Sequence, residues 1–131
     1  MPGWGTGSFE NEDAQTFLGA LNAKEPDELK SVLARAAESN EYLNSPESCI
    51  VIAAAEVVAS AKGMPPEKVP PQVAAFVEKI DGEPSAEMND LARQAVEKVR
   101  TNSELKDLWL EADGLNEWSA ALRDLEQRLS S

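Results

Sequence analysis

The 131-residue chain contains no histidine, one cysteine, and neither Lys nor Arg among its first 23 residues. Each absence excludes a class of chemistry. Without histidine there is no ordinary general base near neutral pH, no imidazole metal ligand and no near-neutral pH switch. The lone Cys49 allows neither an intramolecular disulfide nor a CxxC site. A start without basic residues offers no signal-peptide n-region. The longest apolar run, Cys49 to Ala55, is too short to cross a bilayer. Together these features predict a cytoplasmic protein with no membrane attachment.

Positive charge is also scarce. Twelve basic residues face 24 acidic ones, for a net charge of −12. No basic run exists, and a nucleic-acid surface needs Lys and Arg to displace counterions from phosphates. Direct binding to nucleic acid or anionic membrane is therefore not expected. Basic proteins or cations are the partners that this balance fits. A well-solvated surface is the simpler reading, and the spread of the acids along the whole chain favours it. The apolar fraction is an ordinary 42%. A chain of this length buries enough surface for one core, so residues 1–131 are expected to form a single domain.

What is abundant is helical periodicity. Ala14, Phe17, Leu18 and Leu21 recur at the spacing of one helix face, with Asn11 as N-cap and Glu12 and Asp13 in the first turn. A second helix from about Pro26 has Leu29, Val32, Leu33, Ala36 and Ala37 as its apolar face. The third is expected to be capped by Ser45, started by Pro46 and stopped by Gly63. Its run "CIVIAAAEVVASA" is apolar almost all round, the mark of a helix buried on most sides. "GMPPEKVPP" forbids a continuous helix and reads as a loop inside the domain. A short helix over Gln72 to Ile80 follows, carrying Val73, Phe76, Val77 and Ile80. A fifth, capped by Ser85, has Met88, Leu91, Ala92, Ala95, Val96 and Val99 on one face. A sixth, capped by Asn102 or Ser103, shows Leu105, Leu108, Trp109 and Ala112 and is placed to end at Gly114. The last shows Trp118, Ala121, Leu122, Leu125 and Leu129, with an Asp124–Arg128 pair expected on its exposed side. No segment alternates long enough for a strand. The expected fold is an all-α, compact single domain of six or seven short helices, with a glycine-rich N-terminal arm packed on the core.

That arm reads "GWGTGSF". Glycines before a helix can cradle a phosphate, but Glu10, Glu12 and Asp13 would repel an anion, and the Walker lysine is missing. A cation site from Glu10, Asn11, Glu12 and Asp13 lacks the spacing of an EF-hand loop. The preferred reading is structural: Gly5 and Gly7 permit a tight path that lays Trp4 and Phe9 on the core, and Asn11 caps the helix that follows. Glu56 is the second anomaly, a carboxylate inside the most apolar helix. Such a group needs partners or a shifted pKa. A catalytic role has no histidine to support it, and the nearest cation in sequence is Lys62. Glu56 is therefore expected to be buried and hydrogen-bonded, with the arm's free N–H groups or the Trp4 indole as donors, unless it emerges at a polar edge. Cys49 near a helix start could be a reactive thiolate, but with no base beside it a core cysteine is the better reading. Trp109 and Trp118 stand at helical spacing with leucines and are expected in the core.

Three stretches, "WGTGSFENEDA", "AAAEVVASAKGMPPEKVP" and "NSELKDLWLEADGLNEWSAALRDLEQRL", together resemble one family. It is a family of small bacterial proteins of about this length, classed as a domain of unknown function, with the N-terminal signature W-G-x-G-x-F-E-N-D. Asn11-Glu12-Asp13 stands here where the signature has Asn-Asp, which leaves the cap intact. The resemblance implies a bacterial cytoplasmic protein and carries over no catalytic residue. Three functions from different classes remain. The first, adopted here, is a non-catalytic interaction module, such as an inhibitor or immunity-type protein that binds a basic partner. The second is a carboxylate-based, metal-dependent enzyme using Glu10, Asp13 and Glu56. The third is a structural homo-oligomer. No catalytic, cofactor-binding or metal-binding residue is assigned.

Overall fold

The computed structural model describes residues 9, 11–23, 25–39, 41–66, 69–79 and 84–130. Trp4, Gly5, Gly7 and Glu10, and with them the expected packing of the arm, lie outside the described residues. The described residues form seven α-helices and one 3₁₀ turn, and contain no strand. The all-α expectation holds.

Helix α1 (Glu12–Ala20) begins at Asn11, whose side-chain oxygen accepts the Ala14 N–H at 2.8 Å. Glu12 and Asp13 complement the exposed amides of that turn. Ala14, Phe17 and Leu18 are buried, and Leu21 continues the face into the 3₁₀ turn Leu21–Ala23. Helix α2 (Pro26–Glu38) buries Leu29, Leu33 and Ala36, with Val32 and Ala37 packed at the margin.

Helix α3 (Ser45–Ala61) runs through the centre and touches all six other α-helices. Every residue from Val51 to Ala59 is buried, as expected for a segment without a polar face. Ala53, Ala54, Ala55 and Ala59 are fully buried, and their small side chains let neighbouring helices approach closely. The cap is one residue earlier than the sequence predicts. Asn44 accepts the Glu47 N–H at 2.8 Å, while Ser45 is already helical. The Ser45 N–H is held at 2.7 Å by the Glu104 carboxylate, a tertiary contact that places Ser45 in the first turn.

Helix α4 (Pro71–Lys79) starts one residue before the expected Gln72 and buries Val73 and Phe76. Proline suits a first helical turn, where its missing N–H costs nothing. Ile80 lies outside the described residues. Helix α5 (Ala86–Thr101) is capped by Ser85 at 3.1 Å from the Met88 N–H and buries Ala92, Ala95, Val96 and Val99. Helix α6 (Glu104–Glu111) takes Ser103 as its cap. The Ser103 hydroxyl accepts the Lys106 N–H at 3.1 Å and donates to the Val99 carbonyl at 2.6 Å. Leu105 and Trp109 are buried, whereas Ala112 is the exposed C-cap and not part of the core face. Helix α7 (Leu115–Ser130) buries Trp118, Leu122, Leu125 and Leu129.

An isolated bridge joins Leu43 to Ser103, with the Glu104 N–H 2.8 Å from the Leu43 carbonyl. It fixes the start of α3 beside the end of α5, so those two helices run antiparallel. Helix α5 also packs on α2 and α7, which makes α3 and α5 the shared walls of one core.

Two helices end in the same way, for different reasons of sequence. After α3, Gly63 takes φ +94°, its N–H bonds Ser60, and the Met64 N–H bonds Ala59. This is a Schellman stop, and it needs a residue that tolerates positive φ. After α6, the left-handed residue is Asp113, at φ +62°, and not Gly114. The Asp113 N–H bonds Leu110 and the Gly114 N–H bonds Trp109. Gly114 is constrained by space, since a Cβ there would stand 2.7 Å from a Trp109 ring carbon. Neighbouring substitutions should therefore act in opposite directions. Asp113→Gly should stabilise by up to about 1 kcal/mol by relieving the left-handed conformation. Gly114→Ala should cost about 1–3 kcal/mol through overpacking against a rigid ring. Urea midpoints measure both, and shifts of the same sign would contradict the assignment.

Candidate functional site

Glu56 faces α7 from the middle of α3, and only 3% of its side chain is exposed. Its carboxylate receives both ends of the Arg128 guanidinium: Nη2 donates to Oε1 at 2.7 Å and Nη1 to Oε2 at 2.8 Å. This fork-on-fork geometry is the strongest form of a charged pair. Arg128 Nη1 also donates to the Met64 carbonyl at 3.2 Å, and Nε to Asp124 at 2.9 Å. One side chain thus joins α3, the turn after it and the last turn of α7. Its guanidinium is held above the ordinary arginine range, first by the hydrogen bond to Glu56, with burial opposing. A raised pKa contributes stability that is complete below the unfolded value. The contribution of Arg128 is therefore constant across neutral and mildly alkaline pH.

Arg128 was expected on the exposed side of α7, paired with Asp124. The Asp124 pair is present, but the Arg128 side chain is only 14% exposed and turns to Glu56. Arg128 stands three residues after Leu125, at the edge of the buried stripe, and that position is the sequence signal for its inward reach. The donors expected for Glu56 from the glycine arm lie outside the described residues.

The other expected residues are dispersed. Phe9 packs half-buried against the core, and its carbonyl accepts the Gln15 amide at 2.7 Å. Asn11 is the cap of α1. Asp13 acts electrostatically on Cys49, about two turns of α3 from Glu56. Among the described residues, no group of three His, Cys, Asp or Glu could hold a metal ion. Cys49 is fully buried, and burial, followed by the Asp13 charge, pushes its thiol up to about 12 against a hydrogen bond with Ser45. A thiol so placed is core material, not a nucleophile.

Several basic side chains have partners within the chain. Lys62, Lys79 and Lys98 donate to the carbonyls of Leu129, Asn22 and Ser39 at 2.7, 2.7 and 3.1 Å. Lys106 reaches the Thr101 carbonyl at 3.4 Å. Arg100 holds Glu126 at 2.7 Å, and Lys30 holds Glu87 at 3.2 Å. Several cations thus cap helix ends or pair between helices, while Arg93 pairs with Asp90 and Glu97 on its own helix and Arg35 and Arg123 are exposed.

One part of that surface also carries apolar groups. Tyr42 and Leu110 are 54% and 57% exposed, the two most exposed large hydrophobic residues among those described. The Tyr42 hydroxyl donates to Asp107, one turn before Leu110 on α6. That bond, a little burial and the charges of Asp107, Glu104 and Glu111 raise the phenol from 10.0 to about 12. Sequence reading did not single out either residue, although Leu110 falls off the apolar stripe of α6. Tyr42 is the only tyrosine in the chain, so its ionisation can be followed by absorbance. The raised pKa means that the bond is complete below the ordinary value and is lost as pH rises through about 12. Asp107→Ala should move the midpoint back toward 10.0. A midpoint already at the ordinary value in the unmodified protein would contradict the contact.

An all-α acidic domain with a buried carboxylate bound to arginine is the class that this geometry defines. The family described as domain of unknown function DUF4259 matches residues 3–121, and the chain belongs to it. No curated protein and no solved structure gives a match to the chain. Among the described residues, no helix is long and apolar enough to cross a membrane.

Proposed function

We propose that this domain is a non-catalytic binding module of the bacterial cytoplasm whose carboxylate-rich surface takes a basic protein partner. The observation that supports it most is the charge: 24 acidic against 12 basic residues leave −12, with every cation counted. Several cations, Lys62, Lys98, Arg100 and Arg128 among them, are moreover engaged on carbonyls or acids of the same chain. Such a field steers a positively charged partner and repels acidic ones. The most enzyme-like residue, Glu56, is engaged by Arg128. An inhibitor or immunity-type role is one concrete form of this reading.

The test is reconstitution with a purified partner recovered from the native host. A stoichiometric complex with a protein of high isoelectric point is expected, and its affinity should fall steeply as salt rises. A partner of acidic character, or an affinity indifferent to salt, would overturn the reading. A defined homo-oligomer of the isolated chain, with no further partner, would favour the structural alternative.

A further inference from the structure

We infer that Tyr42 and α6 form the seat of that partner, and that the occupant is a basic amphipathic segment. It would set an apolar side chain on Leu110 and a Lys or Arg over Tyr42. The inference rests on the binding-module reading and adds a location and a chemistry to it. Single exposed hydrophobic residues are normal on a protein surface. Here one of the two most exposed ones, Tyr42, is bonded to Asp107, which lies one helical turn before the other, Leu110, on α6. Tyr42 is held by its hydroxyl bond, so its ring is presented with little freedom left to lose on binding. An aromatic face attracts a cation, and Asp107 and Glu111 are exposed beside it. Glu104 is partly withdrawn, because its carboxylate accepts the Ser45 N–H at 2.7 Å. The seat therefore offers an apolar contact, a ring face and exposed carboxylates in one place. Charge complementarity selects a positively charged occupant over a neutral or acidic one.

The measurement is amide-resolved NMR titration of the full chain with a short synthetic peptide of Leu and Lys at helical spacing. A charge-matched peptide with Gln in place of Leu is the control. Shifts should concentrate at residues 41–43 and 104–111, and the control should bind about tenfold more weakly. Leu110→Ser and Tyr42→Ala should each weaken the Leu/Lys peptide about tenfold, with helical circular dichroism unchanged. Equal binding of the two peptides would overturn the apolar anchor. Shifts elsewhere, with both variants binding normally, would overturn this location and leave the basic-partner reading standing. No binding of either peptide at low salt would remove both.

Discussion

Arg128→Ala should destabilise the domain by about 3–5 kcal/mol, the range for removing one partner from a buried ion pair. The substitution withdraws two charge-assisted hydrogen bonds, at 2.7 and 2.8 Å, from a carboxylate that is 3% exposed. It also removes the donor to the Met64 carbonyl and so loosens the turn after α3. Glu56→Gln is milder, because it keeps shape and one acceptor, and should cost about 1.5–3 kcal/mol. Chemical denaturation with matched slopes measures both. A loss below about 1 kcal/mol for Arg128→Ala would place the pair among ordinary surface contacts.

Phe76→Ala should cost about 3–5 kcal/mol, the range for truncating a buried aromatic ring. Phe76 is fully buried and is the largest side chain that α4 sends into the core. Val73 is the only other buried residue of that helix, so α4 has little else to hold it. The remaining ties are the half-buried Val77 and two polar contacts: Lys79 donates to the Asn22 carbonyl at 2.7 Å, and Asn22 to the Gln72 carbonyl at 3.3 Å. The loss should therefore appear with fast amide exchange confined first to Pro71–Lys79. Full protection of that helix in the variant would show that its anchor lies elsewhere.

Local order was legible in the sequence, and long-range pairing was not. Helices α1, α2, α5 and α7 announce themselves because their buried residues recur at helical spacing. Helix α3 announces itself by length, flanking proline and the absence of a polar face. Its cap was misplaced because Ser45 and Asn44 are both good caps, and the choice is made by Glu104, 59 residues away. Glu56 was visible as a buried carboxylate, but its partner is 72 residues along the chain and has a nearer acid, Asp124, to claim it. The stop of α6 was marked by its glycine, yet the left-handed position is Asp113, and Gly114 is needed for a different reason, the Trp109 ring beside it. The Tyr42–Leu110 surface was invisible because exposure depends on which helices cover α6, a property of packing and not of spacing.

The excess of 24 acidic over 12 basic residues is what makes the surface acidic. A lysine on a terminal carbonyl satisfies a helix end and complements the dipole there. The pair between Glu56 and Arg128 likewise ties the last turn of α7 to α3. It also separates architecture from function, since the residue that most suggests catalysis by its burial is tied to a helix end.

Whether Glu56 and Arg128 hold the fold as one coupled unit is measured most directly by a double-mutant cycle, with Glu56→Leu, Arg128→Met and the double variant compared by denaturation. A coupling above about 1.5 kcal/mol is expected, with the apolar double variant recovering much of what either single change loses. Additive losses within about 0.5 kcal/mol would contradict it, and would return Glu56 to the residues available for chemistry.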